Sequence, residues 1–266
     1  MHALTWKNFC LAVVFLTATL VHASDDFTKH FSKTVEFKSA GDIQVTSVNG
    51  QIKATAWDSE SVKIEAEIKV RARSQRDADR IMEKVTIVVE QTGGHLTIEA
   101  DYPRHDSDSG FWNTLFTSGR TPVIHFTIKA PRQSNLDLHS TNGNIFASSV
   151  RGKNSMRTTN GNIEVENMEG SLELYSTNGS VTAEATDFQE TDAIRMKTTN
   201  GNATLSLPAT VRANVNASTV NGSVRTDFPL TIRGKVMKHR IEGDIDGGGG
   251  KIDISTVNGN VKILEQ

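Results

Sequence analysis

Apolar and polar positions alternate with a period of two along most of the chain, and Asn-Gly interrupts the alternation at recurring intervals. Aligning these copies on the glycine gives each position a role. Two residues after Gly stand Ile145, Ile163, Val181, Ala203, Val224 and Val261, and two further on stand Ala147, Val165, Ala183, Leu205, Thr226 and Ile263. The residues between them are mostly polar: Phe146, Glu164, Thr182, Thr204, Arg225 and Lys262. Before the turn, Leu138, Met156, Leu174, Met196, Ala217 and Ile254 form another apolar column with polar flanks. Period two on both sides of a turn predicts strand, corner, strand, with one face packed and one wet.

The corners are Asn142-Gly143, Asn160-Gly161, Asn178-Gly179, Asn200-Gly201, Asn221-Gly222 and Asn258-Gly259, spaced 18, 18, 22, 21 and 37 residues apart, the last near two periods. An earlier solitary copy, IQVTSVNGQIKATAW, carries Asn49-Gly50. Repeats of this length mark stacked supersecondary units, because one unit alone cannot cover its own apolar face. Asn and Gly tolerate positive φ and so supply a sharp change of direction. They suit the turn of a β-meander. They equally suit a corner between two faces of a coil whose windings lie ~4.8 Å apart. A hydroxyl column two residues before each Asn (Ser140, Thr158, Ser176, Thr198, Thr219, Thr256) favours the coil. Identical polar residues gain most when stacked, as amide side chains then bond in continuous ladders. The reading is an all-β, single-stranded parallel β-solenoid (a β-helix or β-roll) with ~18–22-residue coils over 131–266, and these corners as its structural turn ladder.

Residues 24–130 read as a β-rich lead-in continuous with the repeats. Ser74 opens a short helix over 74–85, with Asp77 completing an approximate capping box and Ala78, Ile81, Met82 and Val85 on one face. This helix is expected to pack across the sheet or plug an open coil end. Val85 to Ala100 predicts a hairpin around Gly93-Gly94. The segment YPRHDSDSGFWNTLFTSGRT, from Tyr102 to Thr121, breaks the pattern. Its Phe111, Trp112 and Phe116 are a candidate binding loop, since exposed aromatic clusters mark contact surfaces. The competing reading tucks the cluster onto the flank of the coil.

At this point the chain resembles a family. The run VIHFTIKAPRQSNLDLHSTNGNI, from Val123 to Ile145, and the TNGNI units that follow are similar to the bacterial adhesin-like family with β-solenoid Asn-Gly repeats, a domain of unknown function of the DUF4097 type. The lead-in from Thr55 to Pro103, a strand, a short helix and a hairpin, fits the same pattern. The likeness covers almost the whole chain after the leader and implies the architecture, without an established reaction. The irregular stretch from Phe228 to Gly250, which lacks one turn signal, departs from it.

Composition adjusts this picture in three ways. Residues 1–23 read as a signal peptide: Lys7 precedes the apolar run FCLAVVFLTATLV, and Val21-His22-Ala23 offers a cleavage site. That run is too short to span a bilayer, and no later run is long enough for a transmembrane segment. The only cysteine, Cys10, lies in the leader, so disulfides and thiol chemistry are excluded from the mature chain. The formal charge of −2 includes no basic stripe, which argues against nucleic acid as a partner.

Candidate chemistry is sparse. On the outward positions, Asp137, Ser155, Glu173 and Arg195 form one mixed column and His139, Arg157, Tyr175 and Lys197 its neighbour, a pattern of ordinary surface pairing. Glu164, Glu166 and Glu184 make a small acidic strip that suits solvent. The histidines lack metal-ligand spacing, Asp106 to Gly110 resembles the start of a calcium loop without its later Glu, and Gly247–Gly250 lacks the residues of a phosphate loop. No catalytic residue, cofactor or metal is therefore expected. The expectation is an exported, periplasmic or extracellular, non-enzymatic adhesin-like binding or scaffold protein of the bacterial cell envelope. Its partner would be an unknown protein or carbohydrate. An envelope-stress or signalling accessory, or a carbohydrate-active enzyme on a β-helix, are the alternatives.

Overall fold

A computed structural model describes residues 26–72, 74–102, 121–232 and 237–266. The chain opens with β1 (Asp26–Glu36), then turns the early Asn-Gly corner between β2 (Asp42–Asn49) and β3 (Ile52–Trp57). Strand β4 (Ser61–Arg71), helix α1 (Gln75–Lys84), the hairpin β5 (Thr86–Thr92) and β6 (His95–Asp101), and β7 (Val123–Pro131) follow. The corner repeats are β8 (Asn135–Asn142) with β9 (Ile145–Ser148), β10 (Asn154–Asn160) with β11 (Ile163–Glu169), and β12 (Leu172–Asn178) with β13 (Val181–Asp187). Then come β14 (Ala193–Asn200) with β15 (Ala203–Leu207), and β16 (Ala213–Asn221) with β17 (Val224–Thr226). Short β18 (Thr231–Ile232) and β19 (Arg240–Ile245) precede the last corner pair, β20 (Gly250–Asn258) and β21 (Val261–Glu265).

The strand before each corner joins an 11-stranded sheet and the strand after it a 10-stranded sheet, so the fold is all-β with two long, parallel-rich sheets. Within the repeats the pairing is parallel and the corners align: Asn142 opposes Asn160, Asn160 opposes Asn178, and Asn178 opposes Asn200. The period-two alternation explains the core. Leu138, Met156, Leu174, Met196 and Ile254 project inward from one sheet, Ile145, Val165, Val181, Leu205 and Ile263 from the other, and all join one continuous apolar cluster. Small residues such as Ala147, Ala183 and Ala203 on the second sheet offset the longer side chains of the first.

A single winding followed in chain order is corrected at both ends. The early copy lies inside the stack, with β2 between β6 and β8, and β3 between β7 and β9. The last copy is also internal, with β20 between β14 and β16, and β21 between β15 and β17. Antiparallel strands finish both ends: β1, β4 and β7 pair antiparallel at one, as does β5 with β6, while β19 pairs antiparallel with β16 and β18 at the other. The 37-residue spacing therefore contains no lost coil. The chain after Asn221 folds back as β18 and β19, and positive φ at Gly247 and Gly248 turns it into the slot beside β14. Side-chain identity marks which coils are alike, and register allows any two such coils to be neighbours.

Helix α1 is capped by Ser74, whose side chain accepts the Asp77 N–H at 3.3 Å. It buries Ala78, Ile81 and Met82 and packs against β4 and β1. Phe27, Phe31 and Val35 of β1 are half-buried against the core.

Candidate functional site

The corners are built as ladders. Each Asn side chain donates to the Asn of the neighbouring coil: Asn142 to Asn49 (2.9 Å), Asn160 to Asn142 (2.7 Å), and Asn178 to Asn160 (2.8 Å). The row continues from Asn200 to Asn178 (2.8 Å), Asn258 to Asn200 (2.7 Å) and Asn221 to Asn258 (2.8 Å). The buried hydroxyl column runs beside it, each hydroxyl donating to the glycine carbonyl of the adjacent coil, as Thr158 does to Gly143 (3.0 Å), Ser176 to Gly161 (2.8 Å), Thr198 to Gly179 (2.7 Å), Thr256 to Gly201 (2.9 Å) and Thr219 to Gly259 (2.8 Å). Ser47, first in this column and 2% exposed, has no such bond among the described residues, because β6 leads on to Tyr102 and not to an Asn-Gly corner.

Glycine is required here for close approach. A Cβ on Gly143, Gly161, Gly179, Gly201, Gly222 or Gly259 would meet the glycine carbonyl oxygen of the neighbouring coil at 1.9–2.2 Å. The corner therefore differs from a hairpin turn, in which only the backbone angles matter.

A second row escaped the sequence reading. The residue after each glycine accepts the backbone N–H of its counterpart one coil on: Asn162 N to Asn144 Oδ1 (2.8 Å), Ser180 N to Asn162 Oδ1 (2.8 Å), Asn260 N to Asn202 Oδ1 (2.8 Å) and Ser223 N to Asn260 Oδ1 (3.0 Å). The recurring Asn in NGN was the signal for it. At the first rung His125 stands in, its Nδ1 accepting the Gln51 N–H at 3.2 Å. Burial, then the nearby Lys69, lowers the His125 pKa against a smaller raising effect of Glu67, which keeps the ring neutral as an acceptor.

The outward positions of the 11-stranded sheet form a continuous polar surface. A groove of about 560 Å³ crosses the strands. One wall is His139, Arg157, Tyr175 and Lys197, and the other is the row of exposed Thr141, Thr159 and Thr177 and half-buried Thr199. Register brings the first set together, since β8, β10, β12 and β14 are neighbours with His139, Arg157, Tyr175 and Lys197 directly opposed. Among the described residues no carboxylate lines the groove. Arg157 lies over the Tyr175 ring at 4.9 Å and reaches Glu173 at 3.6 Å, while Arg195 reaches Glu173 from the other side at 3.7 Å. The Tyr175 hydroxyl, followed by Glu173, raises the Arg195 pKa. His139 Nε2 contacts Asp137 at 3.0 Å, and Lys197 has no carboxylate partner among the described residues. The expectation of ordinary surface pairing thus holds for Arg157, Arg195 and His139 and leaves Lys197 outside it.

The groove meets a second cavity of about 430 Å³ at Lys197, which lines both; Val220, Val257, Met237, His239 and Arg240 line the second. Phe111, Trp112 and Phe116 lie outside the described residues. Glu164 is exposed and Glu166 and Glu184 half-buried, and among the described residues no group of His, Cys, Asp and Glu has the geometry to hold a metal. Among the described residues no helix is long and apolar enough to cross a membrane. Burial pushes the Tyr102 hydroxyl above its ordinary pKa, so it stays neutral.

No curated protein matches this chain in sequence. A candidate cell-adhesion protein from Clostridium sporogenes is similar in structure, with a TM-score of 0.54 at 12% identity over 90% of this chain and 100% of that one. A candidate adhesin from Bacteroides fragilis aligns over 90% of this chain and 97% of its own at 13% identity, with a TM-score of 0.42. At such identity the first likeness concerns the fold alone. The family model described as Toastrack DUF4097 matches residues 32–264. That match spans both sheets and every corner of the ladder, and the chain belongs to the Toastrack DUF4097 family.

Proposed function

We propose that this protein is an exported, non-enzymatic binding or scaffold protein of the bacterial cell envelope, and that it holds an extended, negatively charged partner along the groove of the 11-stranded sheet. The observation that carries this reading is the wall of His139, Arg157 and Lys197 facing a row of threonine hydroxyls, with no carboxylate among the described residues lining the space between. Parallel stacking places His139 and Arg157 one strand step of ~4.8 Å apart and Lys197 two steps beyond Arg157, past Tyr175, a regular spacing suited to a chain of acidic groups. The Arg157–Glu173 and Arg195–Glu173 contacts are solvent-exposed pairs, each worth under about 1 kcal/mol. An incoming carboxylate or phosphate displaces Glu173 at little cost. Several such contacts along one rigid face add by effective concentration, so modest single interactions give useful retention. The description of the Clostridium sporogenes relative as a candidate cell-adhesion protein agrees with a binding role.

The test is retention of acidic and neutral polysaccharides by the purified protein and by the Arg157→Gln/Lys197→Gln double variant. The wild type is expected to retain acidic chains in a salt-sensitive manner, and the double variant to lose at least ten-fold. Equal retention by both proteins would overturn the groove as the binding face. A third protein with Phe111, Trp112 and Phe116 replaced by serine separates the aromatic loop from the groove.

A further inference from the structure

The outward row Thr141, Thr159, Thr177 and Thr199 gives way to apolar residues at both ends: half-buried Val48 of β2 stands beside Thr141, and a more exposed apolar group follows Thr199. Because β20 and β16 follow β14, the next members of the row are Val257 and Val220. Val220 is 64% exposed, Val257 36%, and Met237 beside them 56%. Of the large hydrophobics exposed among the described residues, all but Ile232 border the second cavity. Single exposed apolar side chains are ordinary, but three converging on one cavity mark a contact surface. Lys197 lines both cavities, and His239 and Arg240 stand at the apolar one. The surface therefore passes from cations and hydroxyls at Arg157 and Lys197 to apolar side chains at Val257, Val220 and Met237.

From this gradient we infer that the apolar end of the groove takes a single acyl chain whose negatively charged head is held by Lys197 and Arg157. The inference rests on the reading of the groove as an anion-binding face and names a second ligand class for it. Charge complementarity selects the head, since among the described residues no carboxylate lines either cavity and Lys197 sits at their junction. Distance selects the tail. From β10, which carries Arg157, to β16, which carries Val220, is four strand steps, roughly 19 Å at ~4.8 Å each. Half of a ~30 Å hydrocarbon core, the reach of one lipid chain, is about 15 Å and fits that span. A polar polymer would gain nothing from Val220 and Met237, and an uncharged hydrocarbon nothing from Lys197. Only a molecule with both parts uses the whole surface. The apolar side chains border a cavity of about 430 Å³, which is room for one chain.

The row supplies its own control. Threonine occupies the same outward register in the coils of Asn142, Asn160, Asn178 and Asn200, so Val220→Thr and Val257→Thr place there a residue the strands already accept. Calorimetric titration of the full protein with dodecyl phosphate, below its micellar concentration, is expected to show saturable binding. Octyl phosphate is expected to bind at least ten-fold more weakly, since each methylene withdrawn from water tightens binding roughly four-fold. Dodecyltrimethylammonium is expected not to bind. The Val220→Thr/Val257→Thr variant is expected to lose at least ten-fold for dodecyl phosphate while retaining acidic polysaccharide like the wild type, and Lys197→Gln to weaken both. Affinity independent of chain length, equal binding of the ammonium amphiphile, or an unaltered double valine variant would each overturn the inference. If dodecyl phosphate fails to bind while acidic polysaccharide is retained, the acyl site falls and the anion-binding face stands. If dodecyl phosphate binds through Lys197 and acidic polysaccharide is ignored, the extended-partner reading falls and the acyl site stands.

Discussion

Replacing Gly161 by alanine tests the close stacking of the corners directly. A Cβ at Gly161 would sit 2.2 Å from the Gly143 carbonyl oxygen, 2.6 Å from its carbonyl carbon and 3.1 Å from the Asn144 nitrogen. A comfortable carbon-to-oxygen approach is roughly 3.3 Å, so the overlap is about 1 Å. The obstructing atoms are backbone and cannot rotate away. The two coils must separate at this corner, and the bonds that cross the gap stretch with them: Gly143 N to Asn160 O (2.9 Å), Ile145 N to Asn162 O (2.9 Å), Thr158 Oγ1 to Gly143 O (3.0 Å) and Asn160 Nδ2 to Asn142 Oδ1 (2.7 Å). Separation by about 1 Å takes each near or past the bonding limit, and at about 1 kcal/mol net per bond the loss is ~3–4 kcal/mol. For a domain of this size that lowers Tm by roughly 10 °C. The measurement is a thermal melt followed by circular dichroism, run beside Gly94→Ala, where a Cβ would find only the Gly41 Cα at 4.0 Å. A Gly161→Ala melt within about 2 °C of the wild type would refute the stacking argument, since that is the scale of a neutral surface change.

Other perturbations follow from the same geometry. Asn178→Ala removes the bonds to Asn160 and Asn200 and is expected to cost ~1–2 kcal/mol in urea unfolding; Asn178→Asp, which keeps only the acceptor half, is expected to cost about 1 kcal/mol. For His125 the folded pKa is lowered, so the unfolded chain binds more protons between the folded value and the ordinary ~6.5, and stability rises with pH across that window. Stability should therefore fall as pH drops below about 6.5, and His125→Asn, which supplies the acceptor oxygen used at later rungs, should flatten the dependence in melts across pH 5 to 8. Deleting Gly250–Gln266 removes β20 and β21 and exposes the facing edges of β14, β15, β16 and β17. Limited proteolysis is expected to cut that variant between Pro208 and Gly249 within the time the full chain resists; equal resistance would show that the slot closes on its own.

The repeat itself was plain in the chain because each coil solves the same problem. Inward positions must be apolar, the residue under the neighbouring corner must be glycine, and Asn at one register gives an unbroken amide row. Helix α1 was legible for local reasons, its cap and one apolar face. The order of the coils was not. The copies carrying Asn49 and Asn258 look like any other copy, and only tertiary pairing decides that each lies between two others. The groove was half legible. His139, Arg157, Tyr175 and Lys197 could be aligned on paper, but the apolar end depends on β20 lying beside β14, which puts Val257 and Val220 in line with Thr199. His125 as a ladder acceptor was hidden because imidazole replaces an amide there, a substitution visible only in the bond it makes.

The burial of the final coil has a mechanical meaning. Tension applied at Gln266 acts on β21 and then β20, each bonded along both edges, to β15 and β17 and to β14 and β16. Force directed along those strands loads both ladders of bonds in shear at once, whereas a coil at the free end of a rod would peel open one bond at a time. Extraction of the last winding must therefore break the bonds on both edges of each strand at once, because another coil lies beyond it.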